Sequence, residues 1–292
     1  MKKVYVIIVT YNGVAWIKKV LTSLKNSDYP LMPIVIDNGS KDGTQDCIKN
    51  FFPDVRLVQS EKNLGFGAAN NWGIKIALDS GADYIFLLNQ DAYIFKGSIR
   101  STLNILSENE NVGIVSPIHF AGNEIDLDFA FYTYIQPKST PSLIGDLISK
   151  VSDKKFYETQ FVNAAAWVGR ANVFNDLGGF HPVFTHYGED MEYAIRLKKN
   201  NLMLCIDPNF LIVHDRLQNR VDNPYFQGYL SLERHILMRY FKEEKTNYFK
   251  ITISYMKVLL TYLIKFQFIS VYKTISSFFK TIKLVQALKK SS

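Results

Sequence analysis

The apolar positions of the first hundred residues come in short, nearly unbroken runs: VYVIIV at 4–9, MPIVI at 32–36, VRLVQ at 55–59 and YIFLL at 84–88. Runs of this length, rich in Val and Ile and set between longer amphipathic stretches, predict β-strands alternating with helices. Continuous apolar strands joined by helices imply a mostly parallel sheet covered on both faces, that is, an α/β fold. One helix is expected after Ser40, with Asp42 near its start, where an acidic side chain meets free backbone N–H groups. Another begins near Phe66. Beyond residue 110, VGIVSPI predicts a further strand and AAAWVG at 164–169 another, followed by a helix from about Glu189 to Asn200 and strands near 202–206 and 210–213. Residues 120–160 mix short runs with Pro137 and Pro141 and read as an irregular insertion.

In open parallel sheets ligands gather at the carboxyl ends of the strands, so the residues that follow each run carry the functional signal. The first run is followed by Thr10-Tyr11-Asn12 and the second by Asp37-Asn38-Gly39-Ser40. The third leads into Asn63-Leu64-Gly65-Phe66-Gly67, and the fourth into Asn89-Gln90-Asp91. Four polar or glycine-rich segments are thereby predicted to meet on one rim. Tyr11 offers an aromatic face beside the polar handle of Thr10, a combination suited to a nucleobase; the alternative is a plain strand-end tyrosine. Asp37 ends a buried run, where a carboxylate needs a partner or solvent; the alternative is an Asx turn that shapes DNGS. Gly65 and Gly67 admit close approach of backbone to a ligand, and the helix starting there offers N–H groups to a nucleotide. A dinucleotide fingerprint is matched only weakly, because its third glycine is Asn70 here and the motif follows the third strand rather than the first.

Composition narrows the class. A chain of 292 residues, 47% hydrophobic and 21% charged, has the make-up of a globular enzyme. Two cysteines, Cys47 and Cys205, make neither a disulfide framework nor a zinc cluster and suit a reducing cytoplasm. The apolar run at 4–9 is too short for a secretory signal. The formal net charge of +7 resides in the tail, since residues 245–292 hold nine lysines and no acid. There, apolar and aromatic stretches of at most seven residues alternate with single lysines, far short of the roughly 20 residues a spanning helix needs. The pattern suits a helix lying in the interface of an anionic membrane; the alternative is a helical hairpin that covers the body or forms a homodimer contact. No nucleic-acid partner is expected.

The segments VIIVTYN, VIDNGSKDGT, NLGFGAANNWG, LLNQDA and GEDMEYAIRLKKNN followed by VHD span residues 4–215 in one order. Together they resemble family 2 of the inverting glycosyltransferases, which have the GT-A fold, and the NLGFGAANNWG and NQD forms look most like rhamnosyltransferase-type members. The resemblance implies single-displacement transfer of a sugar from a pyrimidine nucleotide-diphosphate donor, dTDP-rhamnose or a UDP-sugar, to a hydroxyl of a glycan or lipid-linked glycan. It implies Asp37 as acceptor of hydrogen bonds from the pyrimidine, with Thr10, Tyr11, Asn12, Asn63, Gly65, Gly67, Asn70 and Asn89 around the donor. Asn63 and Asn70 are also ordinary loop and cap formers. Asp91 matches the last carboxylate of the family's D-x-D, whose first position is Asn89 here, a poorer ligand for a hard cation. His214 matches a metal-binding histidine of some members, so Mn2+ or Mg2+ is the implied cofactor and an imidazole favours manganese; the alternative is a loop histidine. Asp190 is implied as the base and Glu189 as an acceptor contact, at a helix start whose dipole favours carboxylates; the alternative is a capping acid on a solvated face. Trp167 is expected to line the acceptor pocket or else to fill the core. Arg216 and Arg220 are candidates for the diphosphate.

The expected organisation is a GT-A domain over 1–225, with a nucleotide-binding half at 1–110 and an acceptor half at 111–225, and a basic amphipathic helical tail over 226–292. The expected setting is polysaccharide assembly for the cell envelope, at the cytoplasmic face of the membrane. Two other readings compete. A sugar nucleotidyltransferase would need a glycine-rich, arginine-containing loop after the first strand, and TYNGVAW offers none. A non-catalytic nucleotide-sugar binding module is kept open by Asn89.

Overall fold

The structure is a computed structural model that describes residues 1–150, 152–184, 187–216, 228–243 and 247–291. It divides into two compact units, one of residues 1–181 with 196–216 and one of residues 182–195 with the described part of 217–292.

The first unit is built on β1 (Val4–Thr10), β2 (Leu31–Asp37), β3 (Arg56–Gln59), β4 (Tyr84–Asn89), β5 (Ala92–Gly97), β6 (Val112–Ala121), β7 (Tyr157–Thr159), β8 (Ala166–Arg170) and β9 (Met203–His214). Its helices are α1 (Val14–Lys25), α2 (Thr44–Phe51), α3 (Phe66–Asp79), α4 (Ile99–Glu108), α5 (Phe129–Tyr134), α6 (Leu143–Ser149) and α7 (Ala171–Leu177). The strands form one sheet in the order β3-β2-β1-β4-β8-β6-β9-β5, with β7 also paired to β9. Pairing is parallel throughout β3-β2-β1-β4 and again between β6 and β9, and antiparallel where β8, β5 and β7 join.

The parallel half follows from its sequence. Val4, Val6, Ile7 and Ile8 of β1 and Ile85 to Leu88 of β4 are buried on both faces, which alternation could not provide. One face is covered by α1, whose Ile17, Val20, Leu21 and Leu24 recur at helical spacing and are all buried. The other face carries α3, which comes close to the sheet because it is small where it touches: Gly73 leaves no room for a Cβ against Ile7.

Past β4 the sequence is less legible. The two strands expected near 202–206 and 210–213 are one strand, β9, and the break between them survives as a register shift opposite Pro117 and Ile118. At that shift Asp207 is buried and accepts from Thr102 Oγ1 at 2.7 Å and from the backbone N–H of Asn209 at 2.8 Å, which holds the irregular turn of chain in place. The stretch 120–160 is not wholly irregular: it holds α5, α6 and β7. Strand β5, directly after the NQD segment, is an addition to the expected set.

The second unit includes α9 (Gly228–Glu243), α10 (Tyr248–Ile264) and α11 (Phe268–Ser291), and the start of α8 (Glu189–Lys199). Phe184, Ile236, Leu237, Tyr240, Ile251, Tyr255 and Val285 make its apolar core. Two of its buried polar side chains are paired: Tyr255 shares hydrogen bonds with Ser277 (3.0 Å) and Thr281 (2.7 Å), and Glu233 accepts from Ser277 and Lys280. Among the described residues no helix is long and apolar enough to cross a membrane.

Candidate active site

The four loops at the carboxyl ends of β1 to β4 are tied to one another by side chains. Gln90, the middle residue of NQD, accepts through Oε1 from Thr10 Oγ1 at 2.8 Å and from the Tyr11 N–H at 2.9 Å. Thr10 is therefore buried and committed to holding the loop, while the ring of Tyr11 is 47% exposed and available as a stacking face. Asn12 has positive φ and bridges to the second loop: its N–H donates to Ser40 Oγ and its Oδ1 accepts from the Lys41 N–H, both at 2.9 Å. Asn38 reaches the third loop, accepting from the Leu64 N–H at 2.7 Å and donating to Asn63 Oδ1 at 2.9 Å. Asn63 also accepts from the Gly65 N–H, and Asn70 donates to the Phe66 carbonyl from inside α3. Asn63 thus shapes the third loop from within, and Asn70 bonds inside the first turns of α3. Gly65 has φ +85°, a conformation a β-carbon would strain, and Gly67 lies in the first turn of α3, where backbone N–H groups lack helical partners.

Asp37 is the residue of this rim with unspent bonding capacity. It is fully buried; its Oδ2 accepts from Gln45 Nε2 at 2.5 Å and from the Ser40 N–H at 3.3 Å, and its Oδ1 has no hydrogen-bond partner. A buried carboxylate oxygen left unsatisfied is costly unless a ligand supplies a donor.

At the end of β4 the chain meets the end of β9. Ala92 pairs with His214 across the antiparallel β5–β9 ladder, and the Asp215 N–H donates to the Asp91 carbonyl at 2.7 Å. This brings Nε2 of His214 within 3.3 Å of Asp91 Oδ1 and 3.4 Å of Asn89 Nδ2. His214 is buried at a strand end and is not a loop histidine. Its Nδ1 faces Arg216 Nε at 3.0 Å, so that Nε2 is the ring nitrogen turned toward Asp91. Arg216 Nε also pairs with Asp128 Oδ2 at 2.9 Å. Burial pushes the Asp91 carboxyl up, but His214 and Arg216 outweigh it and hold it below its ordinary value. Behind His214, His119 is enclosed and stacked on Phe131, and burial, with His214 and Arg216, keeps it far below the ordinary imidazole value.

A carboxylate, an imidazole and an adjacent amide suit a borderline divalent cation that completes its shell with ligand oxygens. Among the described residues no group of three His, Cys, Asp or Glu gathers as a metal cluster.

Trp167, in β8, is fully buried with its ring 6.3 Å from that of Phe180, so the core alternative describes its position in this conformation. Arg220 lies outside the described residues. Glu189 and Asp190 open α8 in the second unit. Glu189 is buried, its Oε2 has no hydrogen-bond partner, and burial together with the adjacent Asp190 pushes its carboxyl up to about 8, against the opposing effect of Arg234. The Met191 N–H donates to Asp190 Oδ1 at 2.8 Å, as an acid at a helix start does.

Sequence reasoning passed over Gln90, Asn38 and Asp128. Gln90 and Asn38 stand inside quoted motifs, and a polar residue flanked by ligand candidates is the signal that was present; Asp128, in the stretch read as irregular, gave none.

A parallel β3-β2-β1-β4 half-sheet with its polar rim, joined to a mixed half that brings a histidine to the acidic loop, defines a GT-A glycosyltransferase. The chain belongs to glycosyl transferase family 2, whose model matches residues 5–178. It is 26% identical over 246 residues to the N-acetylglucosaminyl-diphospho-decaprenol L-rhamnosyltransferase of Mycobacterium tuberculosis, covering 75% of this chain and 78% of that one. Its fold is similar to that of S. aureus TarS 1–349 in complex with UDP-GlcNAc (TM-score 0.59, 18% identity, 82% of this chain and 66% of that one). Against a longer TarS chain the match spans only 39% of the length. It is also similar to the mannosyltransferase PcManGT of Pyrobaculum calidifontis in complex with GDP-Man and Mn2+ (TM-score 0.60, 16% identity, 99% of this chain and 79% of that one). The protein is a rhamnosyltransferase-like glycosyltransferase of that family.

Proposed function

We propose that the protein transfers a sugar, with inversion, from a pyrimidine nucleotide-diphosphate donor to a hydroxyl of a glycan or lipid-linked glycan, with dTDP-rhamnose or a UDP-sugar as donor. The observation that carries the donor assignment is the unpaired, buried Oδ1 of Asp37 near the exposed ring of Tyr11 on the loop it pairs with. A uracil or thymine ring has an N–H donor on its edge and a face to stack, and satisfies both. The Gly65–Gly67 turn and the first N–H groups of α3 suit the nucleotide, and Arg216 and Arg220 are the cationic candidates for the diphosphate.

Asp91 and His214, with Asn89 beside them, would hold Mn2+ or Mg2+. A bound cation would stabilise the negative charge that grows on the departing diphosphate. Asp190 serves as base: as the acceptor oxygen forms its bond to the anomeric carbon and the bond to the diphosphate oxygen breaks, the hydroxyl proton passes to the Asp190 carboxylate. Glu189, with its carboxyl raised to about 8, is protonated at neutral pH, which removes a like charge beside Asp190 and provides a donor for an acceptor hydroxyl. Domain 1–225 is read as the transferase and 226–292 as its helical extension, working at the cytoplasmic face of the membrane in cell-envelope polysaccharide assembly.

The deciding experiment is transfer from dTDP-rhamnose and UDP-sugars to a lipid-linked acceptor, comparing wild type with Asp190→Asn. The expected result is a kcat lowered by at least about 10²-fold with donor affinity kept. Wild-type rates in Asp190→Asn would remove the base assignment. Donor binding without turnover by the wild type under all cation conditions would favour the non-catalytic module.

A further inference from the structure

The α10–α11 hairpin is packed at one end and bare at the other. Toward its base Tyr255 is buried and bonded to Ser277 and Thr281, and Ile251 and Val285 are in the core. At the turn, Leu260, Ile264, Phe266, Phe268, Ile269 and Tyr272 are all exposed, with Ile264 at 76%, Phe266 at 78% and Tyr272 at 74%. Isolated exposed apolar residues are ordinary, but this many on consecutive turns of two helices form a contiguous patch, and such patches mark interaction sites.

The turn itself argues in the same direction. Phe266 follows the α10 cap residue Lys265 and has φ +53°, the left-handed conformation that glycine or asparagine normally occupies at a helix end. A bulky aromatic gains nothing in stability at that position and exposes its ring to water, 6.4 Å from the ring of Phe268. Around the patch stand the exposed Lys257, Lys265 and Lys273, and residues 245–292 contain no acid to offset them. Apolar rings at the centre and long-stemmed cations at the edge match the boundary between acyl chains and anionic headgroups. Neither helix is both long and apolar enough to cross a membrane. A flat apolar partner protein would explain the rings but not a rim of one sign.

We infer that the α10–α11 turn is a membrane-docking tip that inserts its aromatic and aliphatic side chains into the interface of an anionic phospholipid bilayer. This goes beyond the transfer reaction and does not depend on it.

The test is co-sedimentation of the full chain with vesicles of phosphatidylcholine alone or with 30% phosphatidylglycerol, alongside Phe266→Ser/Phe268→Ser and Lys257→Gln/Lys265→Gln/Lys273→Gln variants. Unchanged circular dichroism and melting show that the variants fold. Expected are binding to the anionic vesicles only, a loss of about tenfold or more in the Phe pair, and loss of salt sensitivity in the Lys triple. Equal partitioning of the folded Phe pair and wild type overturns the inference. So does failure of wild type to bind anionic vesicles, including the case in which sedimentation equilibrium shows a wild-type dimer that the Phe pair dissociates, since the patch would then belong to a second copy. Donor-dependent thermal shift on the same preparations reads the nucleotide site separately.

Discussion

Asp91 Oδ1 and His214 Nε2 lie 3.3 Å apart although 123 residues separate them, because the antiparallel β5–β9 ladder sets Ala92 opposite His214. In the proposed cation site, with Asn89 in place of a second carboxylate, those two side chains would carry the cation affinity. His214→Ala and Asp91→Asn are each expected to raise the Mn2+ dissociation constant measured in the presence of the nucleoside diphosphate by at least about tenfold, as loss of a direct ligand does. Asn89→Asp is expected to lower it. Isothermal titration with manganese checks all three, and unchanged affinity in His214→Ala would assign the histidine to structure alone.

Gln90 is expected to behave as part of the donor site without touching the donor. Its Oε1 fixes Thr10 Oγ1 and the Tyr11 N–H, so Gln90→Ala leaves two donors at the rim without a partner. Each such loss is worth roughly 1 kcal/mol, so a destabilisation of about 1–2 kcal/mol in urea unfolding is expected. Weaker nucleotide binding should follow, because the ring of Tyr11 is no longer held. Gln90→Glu keeps the acceptor and is expected to fall between wild type and alanine.

Legibility in the sequence tracked how locally each feature is encoded. β1, β2 and β4 were readable because each carries a continuous apolar run between helices, largely buried, which leaves such a run no other use, whereas β3, RLVQ at the sheet edge, was readable only from its short Leu-Val run in VRLVQ. β5 was not: AYIFKG is short, ends in Lys96-Gly97, and becomes a strand only because β9 lies beside it. A tertiary partner is invisible to periodicity. The same holds for the site. Asp37, Asp91, Asp190 and His214 announce themselves by residue type and motif. That Thr10, Asn12, Asn63 and Asn70 spend their side chains on neighbouring loops depends on distances between segments 25 to 80 residues apart or on a helical turn.

Asp37 tests the base preference. Because its Oδ1 is buried and unpaired, a nucleotide that donates to it gains a charge-assisted hydrogen bond worth about 1.5–3 kcal/mol. UDP and dTDP are expected to raise the melting temperature more than GDP or ADP at equal concentration, since a bound ligand stabilises by mass action. Asp37→Asn is expected to weaken the pyrimidine nucleotides by about ten- to hundredfold and to leave the purine responses nearly unchanged. A shift with purine nucleotides alone would reverse the roles given to Asp37 and Tyr11.

The pH dependence of stability isolates Glu189. Its carboxyl is raised to about 8, first by burial and then by the adjacent Asp190, with Arg234 opposing. The folded state therefore holds a proton that the unfolded chain has released above the ordinary carboxylate value of 4.5. Since the native state binds more protons across that window, stability falls as pH rises from about 4.5 to about 8 and levels off above it. The penalty at pH 8.5 is on the order of a few kcal/mol. Glu189→Gln has nearly the same shape and no charge to release, so its melting temperature should exceed that of wild type at pH 8.5 and match it near pH 4.5. A constant offset between the two proteins across that range would show that Glu189 does not titrate there, and the neutral neighbour proposed for Asp190 would have to be abandoned with it.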